Sequence, residues 1–434
     1  MGPKMVVTAA AGVAAVLAGT VMPAAAAAAA ATATATVVPC STPALARAVS
    51  RAANGATLSL AKGCTYVLTA ALPTVARDLT INGNGATLHR STAAGTHAFT
   101  ILTITAGTVT LNHLSFTNGK GAITVNNQAQ LNVTGGVFRG NTAANGGAIN
   151  TDASFENPSA TVVQATGVSF IDNKATGNGG AMYVLTALGD QIIDCKFLGN
   201  TAAGSGGAFA EWSNGTEIAG STFQGNKATT GGALEFDDQG SEITGAVVKD
   251  NSATGDGGGI ADESGGNPVV IIDSKITGNH AGGLGGGLDE ESDGSYGQMT
   301  NTIISGNSAT EGGGINDGDN AYTRYTGDTI SGNHASGDGG GIALSTGTGF
   351  APELTSSFVG GTISGNYAAA RGGGLYTQEP LDVSGTPITG NQAVGGGGIY
   401  DDGAEATVTL TKSSPMCNKP DNCEPLGSIA GCTD

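Results

Sequence analysis

Tryptophan occurs once in this chain, aromatic residues make up only 5% of it, and charged residues only 12%. Conventional globular cores rest on more aromatic area than that, so an ordinary two-layer domain is a poor expectation. Basic side chains are the scarcer sign of charge: 17 Lys and Arg stand against 35 Asp and Glu, for a formal net charge of −18. Nucleic acid and anionic membrane surfaces are bound by clustered Lys and Arg, so neither is expected as a partner. Beyond the N-terminus there is no apolar run long enough to span a bilayer, and no stretch of the repeats has helical periodicity. Glycine is what the chain has instead, 74 of 434 residues. No Gly-X-Y period accompanies it, which excludes collagen.

The N-terminus is composed differently. Lys4, an apolar stretch Val6–Met22, Pro23 and an alanine run with Ala-x-Ala cleavage choices read as a signal peptide over residues 1–31. The stretch is short for a membrane span and lacks a strong positive flank, which argues against a retained anchor. The expected product is secreted or displayed outside the cell, without a transmembrane anchor, and monomeric. Six cysteines suit such an oxidising compartment. Cys40 with Cys64 and Cys423 with Cys432 are the expected disulfides, and the pairing of Cys417 stays open.

Near-copies of one phrase fill the middle of the chain: GNTAANGGAI, DNSATGDGGGI, GNSATEGGGI, GNHASGDGGGI. Aligned on their asparagine they give Asn141, Asn173, Asn200, Asn226, Asn251, Asn279, Asn307, Asn333, Asn366 and Asn391, spaced 25 to 33 residues apart. Three residues earlier stands an apolar residue, Phe138 in the first copy and Ile388 in the last. Further apolar columns lie eight residues before the asparagine (Val133 to Val383) and eight or nine after it (Ile149 to Ile399). Three short β-prone segments per ~27 residues, with glycine at the corners, describe a solenoid of parallel strands. The fold class expected is all-β, a right-handed parallel β-helix of about 13 coils, ~60 Å long at ~4.8 Å per coil. In it the asparagine would bend the backbone in a left-handed geometry and ladder with its copies, and the Gly-Gly pair would make a second corner with no room for Cβ.

The phrases FRGN…GGAI, FIDN…GGAM and FLGN…GGAF resemble the GGA[IL] and FxxN repeats of the chlamydial polymorphic outer-membrane proteins, over Leu131–Tyr400. That resemblance implies the parallel β-helix and, through the family's usual association, adhesion. The membrane β-barrel that ends those proteins has no counterpart after Tyr400, so the chain looks more like soluble, secreted β-helix proteins with the same repeats. "STPALARAVSRAANG" resembles the N-terminal capping helix of pectate-lyase-like β-helices, with Pro43 at its start, a stripe of Leu45, Ala48 and Val49, and Gly55 as its stop. The expected organisation is therefore signal peptide 1–31, linker and cap with helix 32–78, β-helix 79–412, and a disulfide-bearing C-terminal cap 413–434. Cys195 is about eight coils from Cys417, ~40 Å, against a disulfide reach of ~7 Å. It is expected as a buried thiol.

Chemistry is sought just past each third apolar column, where Glu211, Asp237, Asp238, Asp262, Glu263, Glu290, Glu291 and Asp317 recur beside Trp212. Stacked coils would gather these carboxylates as an exposed ridge able to accept sugar hydroxyls, with Trp212 stacking on a ring. Asp262, Glu263, Glu290 and Glu291 are the candidate calcium ligands, and calcium is the candidate cofactor. Glu211 with Asp237 or Asp238 is the candidate catalytic pair. Polygalacturonase-like hydrolases resemble this fold, but their Gly-His-Gly and Arg-Ile-Lys are missing and "NTD" (Asn150–Asp152) lies three coils from "DD" (Asp237–Asp238). The calcium-binding nonapeptide pattern fails on spacing. His280 and His334 follow the ladder asparagine and are expected as exposed turn residues. The leading expectation is a non-catalytic secreted or cell-surface protein binding extracellular polysaccharide, cell-surface glycan or matrix. The alternatives are a polysaccharide lyase or glycoside hydrolase on the acidic face, and a purely structural spacer.

Overall fold

Each repeat forms one turn of a solenoid, and the turn beginning at Gln130 shows the pattern. Gln130–Thr134 lies in a first wall, Val137–Arg139 in a second, Thr142–Ala143 in a short corner ribbon and Ile149–Asp152 in a third wall. Strands pair in parallel with the strand one turn away, as Val133 does with Leu111 before it and Ala165 after it. The first, second and third walls stack 15, 13 and 14 strands, and the ribbon nine. This computed structural model describes residues 35–433 except 127, 153–160, 186–188, 213–214, 238–239, 265–267, 292–295, 319–321, 346–354, 404–407 and 428. The expected signal peptide, Asp238 and most of the long loops at 154–160 and 346–356 lie outside the described residues. The fold is the expected right-handed parallel β-helix, with one helix among the described residues.

Strand parity explains the apolar columns. In the first wall alternate residues are buried, and in the second only the central one is, so a column needs one apolar residue per coil. Phe116, Phe138, Phe170, Phe197 and Phe223 stack face to face in the second wall, with centroids 4.6 to 5.2 Å apart. The coil spacing itself sets that distance. Each such pair adds about 0.5–1.5 kcal/mol to its area burial.

The ladder asparagines are buried and joined end to end. Asn279 Nδ2 donates to Asn307 Oδ1 at 3.0 Å and to the Val248 carbonyl at 3.0 Å. Its own Oδ1 accepts the backbone N–H and the Nδ2 of Asn251. The ladder runs beyond the sequence phrase, from Asn391 to Asn418 and on to Asn422. One expectation is corrected: the left-handed bend is made by the residue before the ladder, Asp250 (φ 55°) or Gly278 (φ 65°), while no ladder asparagine is left-handed. The amide is therefore free to serve the coils above and below.

The Gly-Gly corner divides its work between its two residues. Gly312 has φ +60°, and a Cβ there would stand 2.4 Å from the Ile315 carbonyl oxygen; one on Gly313 would stand 2.5 Å from that of Gly340 in the next coil. The first glycine turns the chain and the second admits the neighbouring coil.

Helix α1, Thr42–Arg51, carries Pro in its first turn and buries Leu45 and Val49 on the coil beneath. Strand Thr36–Val38 precedes it and already pairs with Ala56–Leu60 in the first wall. At the other end Cys423–Glu424 continues the third wall beside Ile399–Asp401. Both expected disulfides are formed, Cys40–Cys64 and Cys423–Cys432. Cys195 is a buried free thiol, pushed up to about 11 chiefly by burial, and Cys417 is exposed and unpaired.

Candidate functional site: the acidic strip of the third wall

The third wall differs from the others because all three residues of its strands are buried, as in Phe209–Glu211, Leu234–Phe236, Ile260–Asp262, Leu288–Glu290 and Ile315–Asp317. The first and third residues point into the coil and the middle one points out. The expected single acidic ridge is thereby split into two sets on opposite faces.

Glu211, Asp262, Glu290 and Asp317 fall on the inward parity, in register with Phe236, and are 0 to 2% exposed. They are not a surface ridge. Asp262 accepts the N–H groups of Ser264 and Val269 at 3.1 and 2.7 Å. Glu211 accepts the Ser241 hydroxyl at 2.9 Å, and Asp317 that of Tyr325 at 2.9 Å. Burial pushes Asp262 above the ordinary carboxylate range and Asp317 up to about 7. Nor can Glu211 pair with Asp237 as the expected catalytic couple, because the strand lies between them.

The outward parity reads Tyr183, Ala210, Glu235, Ala261, Asp289, Asn316, Ala343 and Tyr376 in successive coils. The glycine corner runs against one side of this column: a Cβ on Gly206 would meet that of Ala210 at 2.7 Å, and one on Gly285 that of Asp289 at 2.6 Å. The opposite rim carries Trp212, Asp237, Glu263 and Glu291, whose backbone N–H groups extend the ladder to Val184, Glu211, Phe236 and Asp262. The result is a covered strip along the solenoid axis, made by Ala210, Glu235, Ala261, Asp289 and Asn316, each 0 to 3% exposed. Asn316 Nδ2 donates to Asp289 Oδ1 at 2.9 Å. Burial, then the carboxylates of Glu263 and Asp237, push Glu235 up to about 8. Burial and Glu291 raise Asp289 well above its ordinary value, and burial and Asp237 raise Glu263.

Both ends of the strip are defined. At one, Tyr183, Leu185, Ala210 and Trp212 form a cluster separate from the main core, with the Tyr183 and Trp212 rings 6.5 Å apart. Phe236, one coil on, belongs to the main core inside the coil. At the other, Arg371 bonds Asp338 and Asp402, each at 2.7 Å, and lies over the rings of Tyr376 and Tyr400. These are the only ion pairs among the described residues.

Sequence reasoning missed Glu235, Asp289 and Asn316, although the signal was present: the apolar residues flanking Glu235, Leu234 and Phe236, mark it as the outward residue of its strand. The four candidate calcium ligands do not form one set, since Asp262 and Glu290 are inside the coil and Glu263 and Glu291 outside. Among the described residues no three His, Cys, Asp or Glu side chains are arranged to hold a metal ion. A polar hollow of about 400 Å³ on the first wall, lined by Gln298, Arg324 and Ser357 among others, contains no carboxylate. His280 and His334 lie on the exposed ribbon, where His280 Nδ1 meets Ser308 Oγ at 3.0 Å and His334 stacks on Tyr367.

These features define a right-handed parallel β-helix with an acidic strip on its third wall. Its repeat matches a known one: the Chlamydia polymorphic membrane protein repeat fits residues 167–183, the segment that holds Phe170 of the ring stack, Asn173 of the ladder and the Gly179–Gly180 corner. Among solved structures, tailspike protein 3 of bacteriophage CBA120 is similar at 14% identity with a TM-score of 0.40, over 89% of this chain and 59% of that one. The chain thus spans well under two thirds of the length of that tailspike chain. No curated protein matches the chain significantly.

Proposed function

We propose that this is an exported surface β-helix that holds an extracellular glycan along the acidic strip. One observation carries the reading: the third wall sets Glu235, Asp289 and Asn316 along one line at ~4.8 Å per coil, beside a rim of carboxylates that begins at the half-buried Trp212. Carboxylates and an amide accept or donate to sugar hydroxyls, and an indole offers its face to a pyranose ring. The matched repeat and the two disulfides are compatible with a place outside the cell. The rim of Asp237, Glu263 and Glu291 would repel an anionic chain, so the ligand class proposed is a neutral polysaccharide.

The test is retention of the purified protein on immobilised xylan, mannan, mixed-linkage β-glucan and starch, with and without calcium. Retention on at least one, lowered about tenfold or more by Trp212→Ala, is the expected result. Equal affinity of the Trp212→Ala protein would remove the strip from the account.

A further inference from the structure

We infer that the hollow around Arg324 on the first wall is a binding site for one sugar acid residue, a single carboxylate on a polyhydroxylated ring. The site lies on a different wall from the acidic strip, so it goes beyond the glycan-binding reading and does not depend on it.

Strand parity builds the hollow. Gln298 and Thr300 flank the buried Met299, Arg324 and Thr326 flank the buried Tyr325, and Ser357 precedes the buried Phe358, so all five point outward. Register sets Gln298, Arg324 and Ser357 in one line across three coils, with Thr300 and Thr326 paired beside them. Neighbours stand ~4.8 Å apart between coils and ~6.6 Å apart along a strand. With Thr355 they border a space of about 400 Å³, and small-molecule sites occupy ~300–1,000 Å³.

Arg324 selects the charge of the ligand. It is exposed, and it is the only Lys or Arg in the described strands of the first wall. Both ion pairs among the described residues belong to Arg371, so the Arg324 guanidinium has no carboxylate partner in a chain of net charge −18. The acids in its own line are Asp382, two coils on, and Glu242, three coils before, ~10 and ~14 Å away at the coil spacing. A guanidinium offers a carboxylate two parallel N–H groups. One cation matches a monoanion, and a phosphate dianion would be only half compensated.

The surroundings select a sugar over a bare carboxylate. Gln298, Thr300, Thr326 and Ser357 supply an amide and three hydroxyls, groups that both donate to and accept from ring hydroxyls. Ile272, in register with Thr300, and Val359, in register with Thr326 and 37% exposed, edge the hollow with apolar surface for the C–H face of a ring. No carboxylate or histidine lines the hollow, so nothing there serves as acid or base and the site binds without reacting.

The test is a saturation-transfer NMR titration of the full chain with glucuronate, glucose, acetate and glucose-6-phosphate. Glucuronate is expected to bind saturably and ~10-fold or more tighter than the other three, and Arg324→Gln to lose that preference. Arg324→Lys keeps the charge but not the paired donors and should fall between. Arg324 is exposed, so both variants should keep the wild-type thermal midpoint. Trp212→Ala, on the third wall, should bind glucuronate as the wild type does. Absence of saturable glucuronate binding, or equal binding by Arg324→Gln, would overturn the site. Acetate or glucose-6-phosphate binding as tightly as glucuronate would remove the sugar acid as its ligand. Loss of glucuronate binding in Trp212→Ala alone would move the ligand to the strip and overturn the inference. Failure of this titration leaves the outcome of polysaccharide retention on the strip untouched.

Discussion

The Tyr325 hydroxyl donates to Asp317 Oδ2 at 2.9 Å, with both side chains buried inside the coil. Asp317 belongs to an interior line of acids. Asp262 and Glu290 share a hydrogen bond, and Glu379 accepts the Ser356 hydroxyl at 2.7 Å. An ionised carboxylate in such a place is costly, so burial raises Asp262 above the ordinary carboxylate range, Asp317 up to about 7 and Glu379 up to about 9.

Stability should therefore fall as pH rises. Burial places Asp317 and Asp328 at about 7 and Glu379 at about 9, whereas in the unfolded chain they titrate near 4. Between those limits the native state binds more protons than the unfolded one. Stability is then full below about pH 4 and is lost up to about pH 9, by roughly 1.4 kcal/mol per pH unit for each group still protonated only when folded. Thermal midpoints measured from pH 5 to pH 9 should drop. Self-repulsion of the acidic chain acts in the same direction, so Asp317→Asn is the control. It should flatten the profile, and an unchanged slope would show that the interior acids are not responsible.

The fold was legible because its signals repeat. Phe138 and its equivalents recur at one offset from the asparagine, and a solenoid converts a fixed offset into a column. The site was legible only in part. Glu211 and Asp237 are two residues apart in parity terms from Phe209 and Glu235, yet the first faces inward and the second outward, and acids occupy both faces. The usual inference from charge to exposure fails here, because the glycine corner covers the outer face and hydrogen-bonded acids fill the inner one. Asn418 was missed because Pro415 replaces the apolar residue three places before it.

Breaking the amide ladder should cost more than one hydrogen bond. Asn279→Ala removes two donated and two accepted bonds and leaves Asn251 and the Val248 carbonyl with unmet groups, while Asn307 Oδ1 keeps the backbone N–H of residue 279. At about 1 kcal/mol each, the expected loss is roughly 4 kcal/mol. Urea unfolding measures it, with the neighbouring exposed His280→Ala expected within about 0.5 kcal/mol of wild type. Similar values for the two variants would contradict a structural ladder.

The two kinds of glycine should respond differently to alanine. Gly332 has φ +63° and open space around it, so Gly332→Ala meets backbone strain alone, about 1–2 kcal/mol. At Gly313 a Cβ would lie 2.5 Å from the backbone of both His334 and Gly340. Neither coil can withdraw without breaking its own wall, so Gly313→Ala should lower the thermal midpoint far more, or prevent folding. Equal midpoints would mean that the coils are not held at the close approach described.

Thiol reactivity reports on the interior independently of any ligand. Cys195 is buried, its Sγ within 3.4 Å of the Ala165 carbonyl oxygen and 3.3 Å of that of Ile193, and its high pKa leaves little thiolate at neutral pH. Cys417 is exposed, and the other four cysteines are paired. A thiol reagent should therefore label one cysteine per native chain, at Cys417 by peptide mapping. Denaturant without reductant should raise the count to two, and denaturant with reductant to six. Rapid labelling of Cys195 in the native protein would show that the coils around it open on the timescale of the reaction, and the closed stack of walls would have to be revised there.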